Sequence, residues 1–305
     1  MRRYLPLVLT MVFWGSAFAT SKMTVGAVPP SVAAAIRFVG GAVILLAVVL
    51  ASGQGVRLNR RDWSMIGLLG LTGVFGYNML FFVALTMAPA SDGSMIVPVL
   101  SPVLTTVITA LIGRERLSRR RWGGLALAGA GAVVFFVGTP TSPGSPHRIL
   151  GDLVFVAAAA VWSAYTMCGR PVLRRFPPLP VTAYACVVGA VLLVCAAVPV
   201  LGQVHPAALT ARFWLVEGYL MVFPTAVAFP LFYRGVRGLG PARAATMMFL
   251  VPVAGLGLAF ALLGETVTVI QAAGSAAMLA GAWLAVTERP TTSTPDSGLQ
   301  ALRSV

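Results

Sequence analysis

Apolar runs of about twenty residues alternate with short polar connections along almost the whole chain. Ten runs can be drawn, at roughly 4–25, 31–51, 64–86, 92–112, 121–138, 150–169, 180–201, 213–233, 241–263 and 268–287. Each is close to the ~20 residues a helix needs to cross a ~30 Å hydrocarbon core. The pattern predicts an all-α membrane protein with ten transmembrane helices. The connections are rich in Gly, Pro, Ser and Arg, and none is long enough to hold a soluble domain.

A shift of 150 residues lays the stretch from Pro102 to Ala132 on that from Pro252 to Ala282 without a gap. Pro102 then meets Pro252, Glu115 meets Glu265, and Gly124 and Gly131 meet Gly274 and Gly281. A unit with an odd number of spans, used twice in tandem, must insert the second time upside down. The expected organisation is therefore two inverted five-helix repeats, over 1–140 and 150–287, and such repeats are a common build for secondary transporters. Residues 288–305 are polar, contain Pro290 and Pro295, and read as a disordered cytoplasmic tail.

Charge adds orientation. The net charge of +14 raises the question of a nucleic-acid partner, but the basic residues sit in short clusters between apolar runs, so none is expected. Connections on one side carry Arg57, Arg60, Arg61, Arg114, Arg116, Arg119, Arg120 and Arg121, and later Arg170, Arg174, Arg175, Arg234, Arg237 and Arg243. The other side has Arg148 and Arg212, with Lys22 near a helix end. This places both termini in the cytoplasm and the chain in the cytoplasmic membrane. Arg2 and Arg3 precede an apolar run without a clear cleavage site, which reads as a retained first helix. Cys168, Cys186 and Cys195 lack metal spacing and read as buried thiols, and no cofactor is expected.

The residues FWGSAF at 13–18, AIRF at 35–38, AL at 84–85 and GRERLSRRRWGG at 113–124 carry a resemblance in the first half. GDL at 151–153, WSAY at 162–165 and VPV with the later GE at 251–265 carry it in the second. The chain resembles EamA-type members of the drug/metabolite transporter superfamily from residue 4 to about 287. The resemblance implies export or exchange of small metabolites, amino acids or drug-like cations. It also implies a central cavity among spans 1, 3, 4, 6, 8 and 9.

Polar groups inside a span are costly and mark candidate sites. Glu217 is the sharpest candidate for proton coupling, because a carboxyl in low dielectric can take up and release a proton in a working cycle. The alternative is an interfacial Glu that pairs with Arg212 or reaches water. Arg37 is expected to pair with Asp92 or Glu217, or to snorkel outward, rather than touch substrate. Asp152 is expected to cap the sixth helix. Trp14 with Phe18, Tyr77 with Phe81, and Trp162 with Tyr165 are aromatic pairs at helical spacing in mid-span, and Asn78 adds a donor and an acceptor. Such a set suits an amphipathic solute or an organic cation, with ordinary packing as the alternative. Pro102 and Pro252 are repeat-related and could kink two gates, and Met248 offers adaptable lining nearby. The paired glycines read as close helix contacts, with a scaffold or homodimer role. Glu115 and Glu265 read as caps or pairs in their connections.

The expected function is a secondary transporter working by alternating access on a small amphipathic molecule. Coupling to protons and uncoupled facilitation are both open. A channel-like permease is the alternative. An enzyme is not expected, because His147 and His205 lie in outer connections and no HExxH or GxSxG motif occurs. The absence of a GxxxxGK[ST] loop disfavours a nucleotide-driven pump.

Overall fold

The computed structural model describes residues 4–113, 118–138, 146–239 and 247–286. Among the described residues every element longer than a turn is helical. In chain order these are α1 (Leu5–Val25), α2 (Pro30–Ala51), α3 (Arg60–Met87), α4 (Ala90–Gly113), α5 (Arg119–Val137), α6 (Pro146–Arg175) and α7 (Pro178–Ala197). Three segments run end to end as α8, namely Ala211–Leu220, Met221–Val227 and Ala228–Leu239, and α9 (Leu250–Leu263) and α10 (Val269–Val286) follow. Glu115, residues 240–246 and the tail from 287 lie outside the described residues.

Among the described residues, five stretches are by themselves long and apolar enough to cross a bilayer: Pro30–Ala51, Arg60–Met87, His147–Leu173, Pro178–Gln203 and Ala211–Phe232. Trp122–Phe135, Leu250–Leu263 and Val269–Leu284 are shorter apolar helices. Leu50, Leu215, Val253 and Phe260 are exposed on the outside of the bundle, where a bilayer would solvate them better than water. Trp63, Trp122, Trp214 and Trp283 are half-exposed near helix ends, as interfacial anchors would be. Trp14 and Trp162 instead lie inside.

Helix ends are set by local chemistry. Asn59 and Asp62 form a capping box at the start of α3, with bonds of 2.8 and 3.2 Å, and Thr210 caps α8. Pro stands in the first turn of α1, α2 and α7, where its missing N–H costs nothing. Gly264, with φ +66°, ends α9 in a left-handed turn that a side chain would strain. That turn aims Glu265 at the start of α4, where its carboxylate accepts from the Ala90 and Ser91 amides at 2.9 and 2.8 Å. Lys22 does the converse at the end of α3. It donates to the Leu85 and Ala88 carbonyls that no further turn would satisfy.

Two π-helical segments of seven residues interrupt the α ladder, Gly70–Gly76 in α3 and Met221–Val227 in α8. Their starts differ by one residue from the 150-residue shift read in the sequence. The extra residue of a π turn leaves carbonyls to be satisfied, tolerable in lipid only if side chains do so. Asn78 Nδ2 donates to the Gly73 and Val74 carbonyls in α3. Thr225 Oγ1 donates to the Leu220 carbonyl in α8. The π segment of α8 also absorbs Pro224.

Packing follows small residues. α5 lies along α10, α2 along α7, α1 against α9, and α4 against α6. A Cβ on Gly131 would sit 2.5 Å from the Met278 amide nitrogen, and one on Gly274 2.5 Å from that of Phe135. The glycines singled out in the sequence therefore bring two helix backbones together within one molecule. Of the three thiols only Cys186 is buried; Cys168 is half-buried and Cys195 exposed.

Candidate functional site

α1, α3 and α6 carry the mid-span aromatic pairs, and the fold turns all three toward one another. Trp14 meets Trp162 edge-on with ring centroids 5.9 Å apart, and Tyr77 lies 4.9 Å from Trp162. Phe18 and Phe81 meet at 5.1 Å. Phe229 from α8 joins at 5.5 Å from Trp14. Edge-to-face and tilted contacts of this kind add to the burial energy of the rings.

Between these rings lies a cavity. α1 contributes Trp14, Ala17 and Phe18; α2 contributes Arg37 and Phe38; α3 contributes Tyr77, Asn78 and Phe81. Val97 and Pro98 of α4, Trp162 of α6, Phe229 of α8, Met248 in the turn before α9 and Val251 complete the wall. Of the residues expected from sequence, Trp14, Phe18, Arg37, Tyr77, Asn78, Phe81, Trp162 and Met248 line it. Pro102, Tyr165, Pro252 and Glu217 do not. Pro98, one turn before Pro102, takes the lining position in α4, and Val251 takes it beside Pro252. Tyr165 instead packs over Gly73 in the π segment of α3.

The polar chemistry differs from the expectations in three ways. Arg37 makes no ion pair with Asp92, which is held by Arg148, Nε to Oδ2 at 2.7 Å. Its Nε donates to Thr225 Oγ1 at 3.1 Å and its Nη1 to Ser21 Oγ at 3.5 Å, while it remains buried against the cavity. α2 therefore belongs to the site. Asp152 is no N-cap: it lies in the second turn of α6 and is fully buried. Glu217 neither reaches water nor pairs with the exposed Arg212. It is fully buried, with the Thr24 hydroxyl of α1 within hydrogen-bonding reach. Arg37 is the charge that acts on it across the interface of α2 and α8.

Two polar groups are committed to backbone. Asn78 spends its amide donor on the π segment, so only its carbonyl oxygen is left for a solute. Trp14 Nε1 donates to the Pro224 carbonyl at 3.2 Å, tying α1 to the π segment of α8. Arg37 is the single charged residue in the wall among the described residues. The cavity is about 60 Å³, room for a few waters. Ala17, Val97 and Val251 carry no chemistry that sequence could single out. Phe38 and Phe229 would have emerged from an aromatic census extended to α2 and α8.

Comparison with known proteins places this architecture. The EamA-like transporter family model matches twice, over residues 2–137 and 149–287. A probable terminal-alkyne amino-acid exporter of Streptantibioticus cattleyicolor is 31% identical, over 91% of each chain. The aromatic amino acid exporter YddG of Ancylobacter novellus is 30% identical, over 72% of this chain and 75% of its own. The uncharacterized transporter YyaM of Bacillus subtilis is 27% identical, over 91% of each. One solved crystal structure superposes with a TM-score of 0.68 at 25% identity, covering 97% of this chain and 99% of the other. These relatives bear names of transporters and not of enzymes. The chain belongs to the EamA-like transporter family, and it is a multi-pass membrane transport protein.

Proposed function

We propose that this protein is a secondary exporter of an aromatic or apolar amino acid, working by alternating access. Its ten helices form two inverted five-helix halves, over 1–140 and 150–287, with both termini in the cytoplasm. Three observations support the two-fold design. Adding five to each helix number carries the α1–α9 contact onto α6–α4 and leaves the α2–α7 and α5–α10 pairs unchanged. The π segments recur at nearly the repeat shift. The family model matches once in each half.

The observation that carries the substrate class is the buried guanidinium of Arg37 in an aromatic wall. In a site of low dielectric, a fixed positive charge favours a carboxylate and opposes a quaternary ammonium. The aromatic rings alone suit a cation, but Arg37 reverses that preference. An amino acid with its carboxylate toward Arg37 and its side chain among Trp14, Trp162 and Phe229 satisfies both features. The amino-acid exporters among the relatives point the same way.

Glu217 couples the solute to a proton in this reading. A substrate carboxylate that engages Arg37 takes away the charge that balances Glu217, and Glu217 then takes up a proton, so solute and proton travel together and the outward solute gradient drives export. Counterflow in proteoliposomes tests the proposal. Vesicles preloaded with unlabelled phenylalanine are expected to accumulate labelled phenylalanine, and Arg37→Gln is expected to abolish this. If no aromatic or apolar amino acid gives trans-stimulation while tetraethylammonium does, the substrate class is wrong.

A further inference from the structure

The contact between the first turn of α4 and the first two turns of α6 buries more acid than its bases balance. Asp92 of α4 is 1% exposed and takes two bonds from Arg148 of α6, at 2.7 and 3.0 Å. Asp152 stands one turn beyond Arg148 on the same helix and is fully buried. Neither of its oxygens meets a donor, yet its carboxyl is within hydrogen-bonding reach of that of Asp92. Two ionised carboxylates can only accept, so this contact becomes a hydrogen bond only when one of them carries a proton.

The surroundings supply Asp152 no donor: the Ser91 hydroxyl donates to Asp92 Oδ1, at 3.5 Å. Lys22 reaches in from α1 but is spent on the carbonyls ending α3. Glu265, from the connection between α9 and α10, is spent on the amides opening α4. His147, next to Arg148, is exposed. The ends of α3 and α9 that pack here add no titratable group among the described residues. Asp92, Asp152 and Glu265 thus face Lys22 and Arg148, which leaves one negative charge over. Water has little room to solvate it: a Cβ on Gly151 would lie 2.7 Å from Ala88 Cβ and 2.8 Å from Met87 Cβ. A buried carboxylate without a partner is among the costliest arrangements in a protein, and one proton removes the cost.

We propose that Asp92 and Asp152 share a single proton and form a protonation site at the α4–α6 contact, separate from the substrate cavity and from Glu217. The proton binds between a donor carboxyl and an acceptor carboxylate that Arg148 orients. Its loss leaves two buried negative charges facing one guanidinium, and the two helix ends must separate or hydrate. The pair therefore latches α4 to α6 while protonated. Stability from this contact is present at low pH and lost as pH rises through release of the shared proton.

Infrared difference spectra of the full-length protein in lipid nanodiscs, recorded as pH is raised, test the proposal. The wild type is expected to lose the carbonyl stretch of one protonated carboxyl. That band should be absent in Asp152→Asn and Asp92→Asn and retained in Glu217→Gln. Thermal unfolding should shift to lower temperature with rising pH in the wild type and not in Asp152→Asn. A band that survives both Asp variants, or disappears only in Glu217→Gln, overturns the proposal. So does an Asp152→Asn protein that fails to fold, because the amide should stand in for the protonated acid.

Discussion

Replacing Arg37 by Gln leaves the fully buried Glu217 without its balancing charge. Breaking one side of a buried ion pair costs about 3–5 kcal/mol in general. Here Arg37 spends its nitrogens on Thr225 and Ser21, with no direct ion pair to Glu217 among the described residues. At an effective dielectric of ~20, two charges 4 Å apart attract by about 4 kcal/mol, so the direct attraction must be smaller. Arg37→Gln and Glu217→Gln are each expected to cost about 2–3 kcal/mol. The double variant should cost less than the sum of the two by about 2 kcal/mol, because two neutral amides need no counter-charge. Thermal unfolding of the purified protein in detergent, run as a double-mutant cycle, reads this coupling. Counterflow separates stability from function: the double variant should fold well and still fail to move phenylalanine. Strict additivity of the two single variants would refute the electrostatic link, and normal transport by the double variant would refute the role of Arg37 in binding.

Glu265→Ala removes an acceptor from the Ala90 and Ser91 amides and should lower stability by about 2–4 kcal/mol; Glu265→Gln, which keeps one acceptor, should lose roughly half as much. Trp14→Ala and Trp162→Ala should each weaken phenylalanine competition in counterflow at least ~5-fold, given ring contacts worth about 1 kcal/mol beyond burial. Gly274→Val should prevent α5 and α10 from closing, since even a Cβ there meets backbone at 2.5 Å, and size-exclusion chromatography should show aggregated protein.

Much of the site was legible because aromatic residues in mid-span are conspicuous. Trp14, Tyr77, Phe81 and Trp162 could be placed together once three helices were expected around one centre. The misjudged residues share one property: their role depends on what faces them. For Arg37 the sequence points to Asp92 or Glu217; Glu217 does act on it, Asp92 does not, and nothing in the spacing brings Thr225 and Ser21 to bond it. Asp152 looked like a cap because it lies near the start of a span, and α6 proved to begin earlier, at Pro146. Asn78 looked free because a π segment, which consumes its donor, leaves no mark in hydropathy. The repeat register favours Pro102, which matches between halves, whereas a cavity selects residues on one helix face, and in α4 that residue is Pro98.

The sequence alone determined that the chain is helical and membrane-embedded, and it carried the repeat signal and the family resemblance. Each of those depends on quantities summed along the chain, such as hydropathy over about twenty residues or a shift of one segment on another. Tertiary structure decided which buried charges balance one another. Whether Glu217, Asp92 and Asp152 are costly depends on neighbours that arrive from α2, α6 and α1, many residues away. Coulomb energy and desolvation depend on distance in space, and only the folded packing of the helices sets that distance.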